Sequence, residues 1–397
     1  MKHLVLFSFL ISAWTSQTFA AEGNAHDMFE NLTGIHKAAY DRDFDKIKDL
    51  LKEDPTNLNL RNPDVAYQGH EWLRPTRLNA LGWVLYRQAK TPEEQDKVFT
   101  ISKFLLDKGS DTGGYSLNPV YSGIFKNVTA LAIAAFGGHT NVVKYLLAQG
   151  EDPDAHFLHE FTHLGNFYIT PVYLAVMQNH EALARLLIDK YKVDVNFQTY
   201  DSDETMIYWT IRNDNYELAK LLVSKGNRAL NWEELHSLCD RRVGVKYRTP
   251  AEMKRYLDLF VKAGTPIYIQ WTEEKGTMDG NDFLSPHSSM EYFIDHARPE
   301  LQDPDFFRYL IERSPREKLG RSLNWAIMVG EYEMARMLIE HNVPLDFRFA
   351  RGWQYHKFIP PPAQTFAMGG FTPLRIAIEF GVPKWLVKML QDRNAPL

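Results

Sequence analysis

The run Thr129-Ala130-Leu131-Ala132-Ile133-Ala134-Ala135, with Val142 to Gly150 behind it, returns in altered form along the chain. It reappears as Thr170-Pro171-Val172-Tyr173-Leu174-Ala175 followed by Leu183 to Lys190, and last as Thr372-Pro373-Leu374-Arg375-Ile376-Ala377 followed by Leu386 to Asn394. Self-similarity at such intervals restricts the chain to a stack of small helical units, each burying its apolar face on its neighbours, in place of one globular core. A stack mainly presents a surface, so the repeat also constrains the class of function.

Each unit reads as two helices. In the first, Leu131, Ala134 and Ala135 fall on one helical face, and the small alanines let neighbouring helices approach closely. Thr129 stands where a hydroxyl caps the helix N-terminus. Pro171 and Pro373 occupy a first turn that needs no N–H donor. The second helix carries paired leucines, Leu105-Leu106, Leu146-Leu147, Leu186-Leu187 and Leu221-Leu222. Gly109, Gly150, Gly226 and Gly264 then end it at a left-handed position, with Asn342 and Asn394 as the next-best residue in later units.

Thr33-Gly34-Ile35-His36-Lys37-Ala38-Ala39 resembles the Thr-Pro-Leu-His-x-Ala signature of the ankyrin repeat, a unit of about 33 residues. The resemblance implies an all-α fold: an ankyrin repeat solenoid, a helix-turn-helix stack with extended inter-repeat loops. It extends over residues 21–397 as about eight or nine units, clear at 33–58, 79–109, 129–150, 170–196, 205–227, 322–346 and 372–395. Residues 230–320 are degenerate, with first helices placed near Glu233 and Ser288 and a non-repeat helical insertion left open. His36 and His180 stand where the family's histidines make helix-bridging hydrogen bonds, so they are read as structural.

Unit starts are often further apart than the family's repeat length. The surplus falls at 61–78, 110–127, 151–168, 265–287 and 346–370, where the family has its protruding fingers. These segments are rich in aromatics. The rings expected to meet a partner are Tyr67, Trp72, Tyr115, Tyr121, Phe125, Phe157 and Phe161 in the first three, and Trp271, Trp353, Tyr355 and Phe358 in the last two. Arg74 and Arg351 lie among them, and aromatics with arginine are the residues of binding hot spots. Local packing inside long loops is the competing reading for about half of the rings.

The N-terminus adds a location. Lys2, the apolar stretch Leu4 to Trp14 and the small-residue end Thr18-Phe19-Ala20 have the layout of a secretory signal peptide over residues 1–20. Cys239 is the single cysteine, which excludes an intrachain disulfide and leans toward a bacterial periplasm, with secretion as the alternative. A formal net charge of −5 leaves no nucleic-acid footprint. No stable membrane insertion is expected after signal cleavage.

One pattern suggests chemistry. His159-Glu160-Phe161-Thr162-His163 resembles the zinc metallopeptidase motif, which places two imidazoles on one helical face with the carboxylate as base. It lies in an inter-repeat insert, and the third ligand of the longer variant would fall on Ile169. His159 and His163 are therefore weak metal candidates, and no cofactor is expected. The expected function is non-enzymatic protein binding through the helical face and the long aromatic loops. What the resemblance implies further is an immunity protein that neutralises a toxic effector, such as a type VI lipase, in the periplasm. A general periplasmic scaffold, a zinc hydrolase and a secreted effector acting as a scaffold in a host cell stand as alternatives. Trp385 and Met389 on the final helix are expected to pack on the preceding unit.

Overall fold

The structure is a computed structural model that describes residues 32–62, 77–117, 124–161, 165–196, 205–227, 249–265, 267, 277–278, 281–283, 288–296, 303–348, 353–357, 364–367 and 370–397. The expected signal segment 1–20, Glu233 and Cys239 lie outside the described residues. The chain divides into two units, Lys2–Ala229 and Leu230–Leu397.

In the first unit the helix pairs are α1 (Gly34–Tyr40) with α2 (Phe44–Glu53), α3 (Ala80–Tyr86) with α4 (Pro92–Asp107), and α5 (Ala130–Phe136) with α6 (Thr140–Ala148). They continue as α7 (Pro171–Met177) with α8 (Glu181–Leu186), and α9 (Met206–Arg212) with α10 (Tyr216–Ser224). The first helices of successive pairs pack α1 to α3 to α5 to α7 to α9 as an inner layer; α4 packs on α6 and α8 on α10 as an outer layer. The caps are physical: Thr129, Thr170 and Thr205 accept hydrogen bonds from the backbone N–H of Ala132, Tyr173 and Tyr208. Asn79 does the same for Gly82. The outer helices stop where Gly109, Gly150 and Gly226 take positive φ.

Histidines lock adjacent pairs together. His139 Nε2 donates to the carbonyls of Leu85 (3.0 Å) and Arg87 (2.9 Å), at the end of α3. His180 Nε2 reaches Phe136 O at 2.9 Å, one pair further on, and His36 Nε2 reaches Leu60 O at 2.9 Å. The imidazoles of His139 and His180 meet carbonyls at the C-terminus of the preceding inner helix, whereas that of His36 meets a loop carbonyl further along the chain. The ring of His180 lies so close to Gly138 (φ 72°) that a Cβ there would be 2.6 Å from its Cε1. Gly138 is thus required both by its backbone and by the space.

The all-α expectation is corrected by the fingers, which form sheets. β1 (Tyr115–Leu117) and β2 (Ile124–Val128) come from the finger before α5, and β3 (Phe157–Phe161) and β4 (Gly165–Ile169) from the finger before α7. They make one antiparallel sheet in the order β1-β2-β3-β4. Two neighbouring hairpins satisfy their facing backbone groups on each other, which an isolated loop could not do.

The second unit contains α11 (Pro250–Lys262), β5 (Thr277–Met278), β6 (Asn281–Phe283), α12 (Ser289–His296), α13 (Pro304–Glu312), α14 (Leu319–Val329) and α15 (Tyr332–Glu340). It ends with β7 (Trp353–Lys357), β8 (Gln364–Ala367), α16 (Pro373–Glu379) and α17 (Lys384–Asp392). Here α12, α14 and α16 form the inner layer, and α11, α13, α15 and α17 the outer one. A 3₁₀ turn, Arg316–Lys318, leads into α14 with no finger before it. The hairpins on either side therefore pair with each other, β6 running parallel to β7 through Asp282 with Trp353 and Phe283 with Gln354.

Two placements differ from the sequence reading. Ser288 does begin a helix, its hydroxyl accepting from Glu291 N at 3.2 Å. Ser322 does not: it is buried inside α14, which starts at Leu319. Trp385 is 42% exposed, so it does not pack inward as expected.

Candidate protein-binding surface

The inner helices have little to offer a partner. Every residue of α3, α5 and α7 is buried. A helix apolar and covered all round is core, so the expected helical face is not displayed there.

The sheet of the first unit is displayed on one side. Strand alternation assigns its residues to two faces. Tyr115 and Val128, and Phe157 and Ile169, are directly opposed pairs, and all four are buried. Ser116, Lys126, Leu158 and Tyr168 form a continuous row across all four strands on the other face. The first three are partly exposed and Tyr168 is 40% exposed. Asn127 makes both rows possible. It is taken up as a bulge at φ 59°, so Val128 turns into the core while Lys126 stays outside. The ring of His156 packs edge-on against Tyr168, 5.4 Å between centroids.

The base of the first finger is fixed by buried polar groups. Tyr115 donates its hydroxyl to Asn79 Oδ1 (3.0 Å) and to the Asp111 carbonyl. Arg61 lies over its ring at 5.0 Å and donates to the carbonyls of Gly113 (2.7 Å) and Gly114. Asn79 caps α3 and also donates to Ser110 Oγ (3.1 Å) and Asp111 O (3.1 Å). Burial raises the Tyr115 pKa well above that of an ordinary phenol, so the ring stays neutral.

The sequence-predicted residues separate accordingly. Tyr115 and Phe157 are core residues, since both rings are buried, and they offer no surface to a partner. Phe125 and Phe161 occupy positions in β2 and β3, and Trp353 and Tyr355 positions in β7. Tyr67, Trp72, Arg74, Tyr121, Trp271, Arg351, Phe358 and His163 lie outside the described residues. The helical premise of the zinc pattern fails, because His159 and Glu160 lie in β3, where successive positions alternate between opposite faces. Position 159 is opposed to Phe125 and Phe167. Among the described residues no group of three or more His, Cys, Asp or Glu is placed to hold a metal. Lys126, Leu158 and Tyr168 were missed by sequence reasoning, although alternation along 157–161 and 165–169 would have pointed to Leu158 and Tyr168.

Stacked helix pairs, capping threonines and paired hairpins coincide with family matches. Residues 155–231 match a model described as ankyrin repeats (3 copies), and residues 126–156 match the ankyrin repeat model. The chain contains ankyrin repeats. No curated protein matches it. The matched stretch includes α5 to α10 and the hairpin β3-β4. Ankyrin repeats are protein–protein interaction modules and typically non-enzymatic scaffolds. Among the described residues no helix is long and apolar enough to cross a membrane.

Proposed function

We propose that this chain is an exported ankyrin-repeat protein that captures a protein partner on the open face of its finger sheet. The observation that carries the reading is the row Ser116, Lys126, Leu158 and Tyr168 on a hydrogen-bonded frame, beside the inner helices α3, α5 and α7, which have no exposed residue. A row with one cation, one aliphatic chain and one tyrosine, held rigid before contact, loses little conformational entropy on binding. Export is supported by the charged start at Lys2, the apolar stretch Leu4 to Trp14 and the small residue Ala20.

The biological role we infer is immunity: binding and neutralising a toxic effector, such as a type VI lipase, in the periplasm. Its support is the ankyrin resemblance together with the signal-like layout of residues 1–20. The test combines Leu158→Asp with Tyr168→Ala and measures capture from periplasmic extract. Loss of capture by the folded variant supports the sheet; undiminished capture removes it. If the gene immediately upstream encodes a toxic lipase or nuclease, co-expression of this protein is expected to restore growth. A toxin that still kills cells containing the folded protein rules out immunity, and fractionation that places the chain outside the cell favours an effector scaffold.

A further inference from the structure

Three successive junctions of the inner layer in the first unit are closed by the same kind of bond from chemically different side chains. A residue beyond one inner helix reaches back to carbonyls at the end of the preceding one. His139 reaches Leu85 and Arg87, His180 reaches Phe136, and the Asn213 amide reaches Val176 (3.2 Å) and Met177 (3.1 Å). An amide gains no proton in mild acid, whereas an imidazole does.

The His139 junction also holds a second cation. Arg42, in left-handed backbone between α1 and α2 and 5% exposed, donates to Val84 O (3.4 Å) and to Arg87 O, a carbonyl that His139 also uses. Among the described residues no carboxylate pairs with Arg42. Glu94, the acid that acts on it from α4, accepts from Lys90 N at 2.6 Å. The Arg87 guanidinium is turned over the Tyr40 ring at 5.0 Å. Gln95 of α4 and the His180 imidazole also face His139. A proton on Nδ1 adds one long hydrogen bond, to Gln95 Oε1 at 3.3 Å, and sets a fully buried imidazolium on the same carbonyl as the guanidinium. The cost of burying that second cation outweighs the bond.

The finger end of the α3–α5 junction is held differently. Arg77 and Ser116 exchange backbone hydrogen bonds of 2.8 and 3.3 Å, and Tyr115 donates to Asn79 at 3.0 Å. None of these bonds uses a group that protonates in mild acid.

We propose that the α3–α5 junction is an acid-operated hinge: protonation of His139 frees the end of α3 from the start of α6, while the Arg77–Ser116 end stays closed. Such an opening is local, not global. Burial and then the Arg42 charge hold the His139 pKa down to about 4, so the lock is complete above pH about 6.5 and opens progressively as pH falls toward 4.

The test is hydrogen exchange of the full chain at pH 7 and pH 4.5, corrected for intrinsic rates and read by peptide. Protection over 84–95 and 137–143 is expected to fall by about tenfold or more in acid. Residues 115–117 and the Asn213 junction, 211–219, should keep theirs. His139→Gln should remove the acid effect. Arg42→Gln should diminish it by taking away the second cation, and decides the matter where His139→Gln does not fold. Unchanged protection at pH 4.5, a loss shared equally by 115–117 or 211–219, or an undiminished loss in either folded variant would each overturn the proposal.

Discussion

Arg321 holds the position that a capping hydroxyl holds elsewhere in the chain. Counted back from the left-handed turn residue, Gly138 leads to Thr129 and Gly330 leads to Arg321. A guanidinium cannot accept the N–H bonds of a helix start, so α14 runs back through Arg321 to Leu319. The lost cap is replaced by a buried ion pair, Arg321 Nε donating to Glu291 Oε2 at 3.0 Å with Glu291 fully buried. Glu291→Ala is expected to destabilise by about 3 kcal/mol, because it strands a buried charge, whereas Glu291→Leu with Arg321→Met should be close to neutral. Urea denaturation checks both, and a mild single variant would contradict the account. This residue pair shows the limit of the sequence. Threonine caps and glycine stops were legible because their chemistry is local; the Glu291–Arg321 exchange was not, because its partners lie in different helices 30 residues apart and shift the apparent register to Ser322. The histidine locks give a second prediction. Burial, with the Arg42 charge next in weight, holds the His139 pKa down to about 4, and burial lowers His36 and His180 as well. A histidine whose folded pKa lies below its unfolded value binds its proton more readily in the unfolded chain. His139 thus stabilises fully above pH about 6.5, and this contribution, about 3 kcal/mol, drains away as pH falls toward 4. Thermal melts should drop across that window, with a flatter profile in His139→Gln; identical slopes would argue against the assignment.

At the scale of elements, helices were readable and strands were not. A helix shows itself through a 3.6-residue period and its caps, whereas these strands are five residues long or shorter and are completed as a sheet only by pairing between neighbouring fingers. The segment Phe157–Phe161 drew a zinc reading from spacing that has meaning only on a helix, and as a strand it has none. Tyr115 and Phe157 looked like fingertip hot spots because aromatics in a loop count as exposed until a core is found for them. The end of α8 shows how an irregular length is absorbed. Its last turn, Leu187–Tyr191, widens to a π-helix and closes on Lys192 at φ 57°, where the matching stops of α6 and α10 are Gly150 and Gly226. An extra residue inserted in a helix is commonly accommodated in this way. A lysine in left-handed backbone is strained, so Lys192→Gly is expected to raise stability by about 0.5–1 kcal/mol despite the entropy that glycine adds to the unfolded chain. Thermal melts decide it, and a destabilised variant would mean that the lysine side chain contributes more than its backbone costs.

Each unit has its own helix layers and its own sheet. The strands of one sheet all belong to Lys2–Ala229 and those of the other to Leu230–Leu397, so neither sheet borrows a strand across the division. The weak repeats between 230 and 320 fall on the side of the second unit, where the hairpins skip a helix pair and meet in parallel. Sequence similarity fades there because the unit departs in several ways at once: a finger is replaced by a 3₁₀ turn, a cap by an arginine, and antiparallel contact between hairpins by parallel contact. The first unit keeps the regular arrangement, five consecutive helix pairs with histidine locks between them. Stability in such a stack is approximately a sum of repeat and neighbour terms, and the three repeats or more that it requires are present in the first unit. A fragment comprising residues 21–229 is therefore expected to fold alone, with a helical spectrum and one cooperative melt. Its β1-β4 amides should resist hydrogen exchange as they do in the full chain, because their partners all travel with the fragment. The same fragment should retain partner capture on the Lys126, Leu158 and Tyr168 face. A fragment that melts without cooperativity would show that the first unit depends on the second for its fold. A folded fragment that no longer captures the partner would place the binding surface outside this sheet.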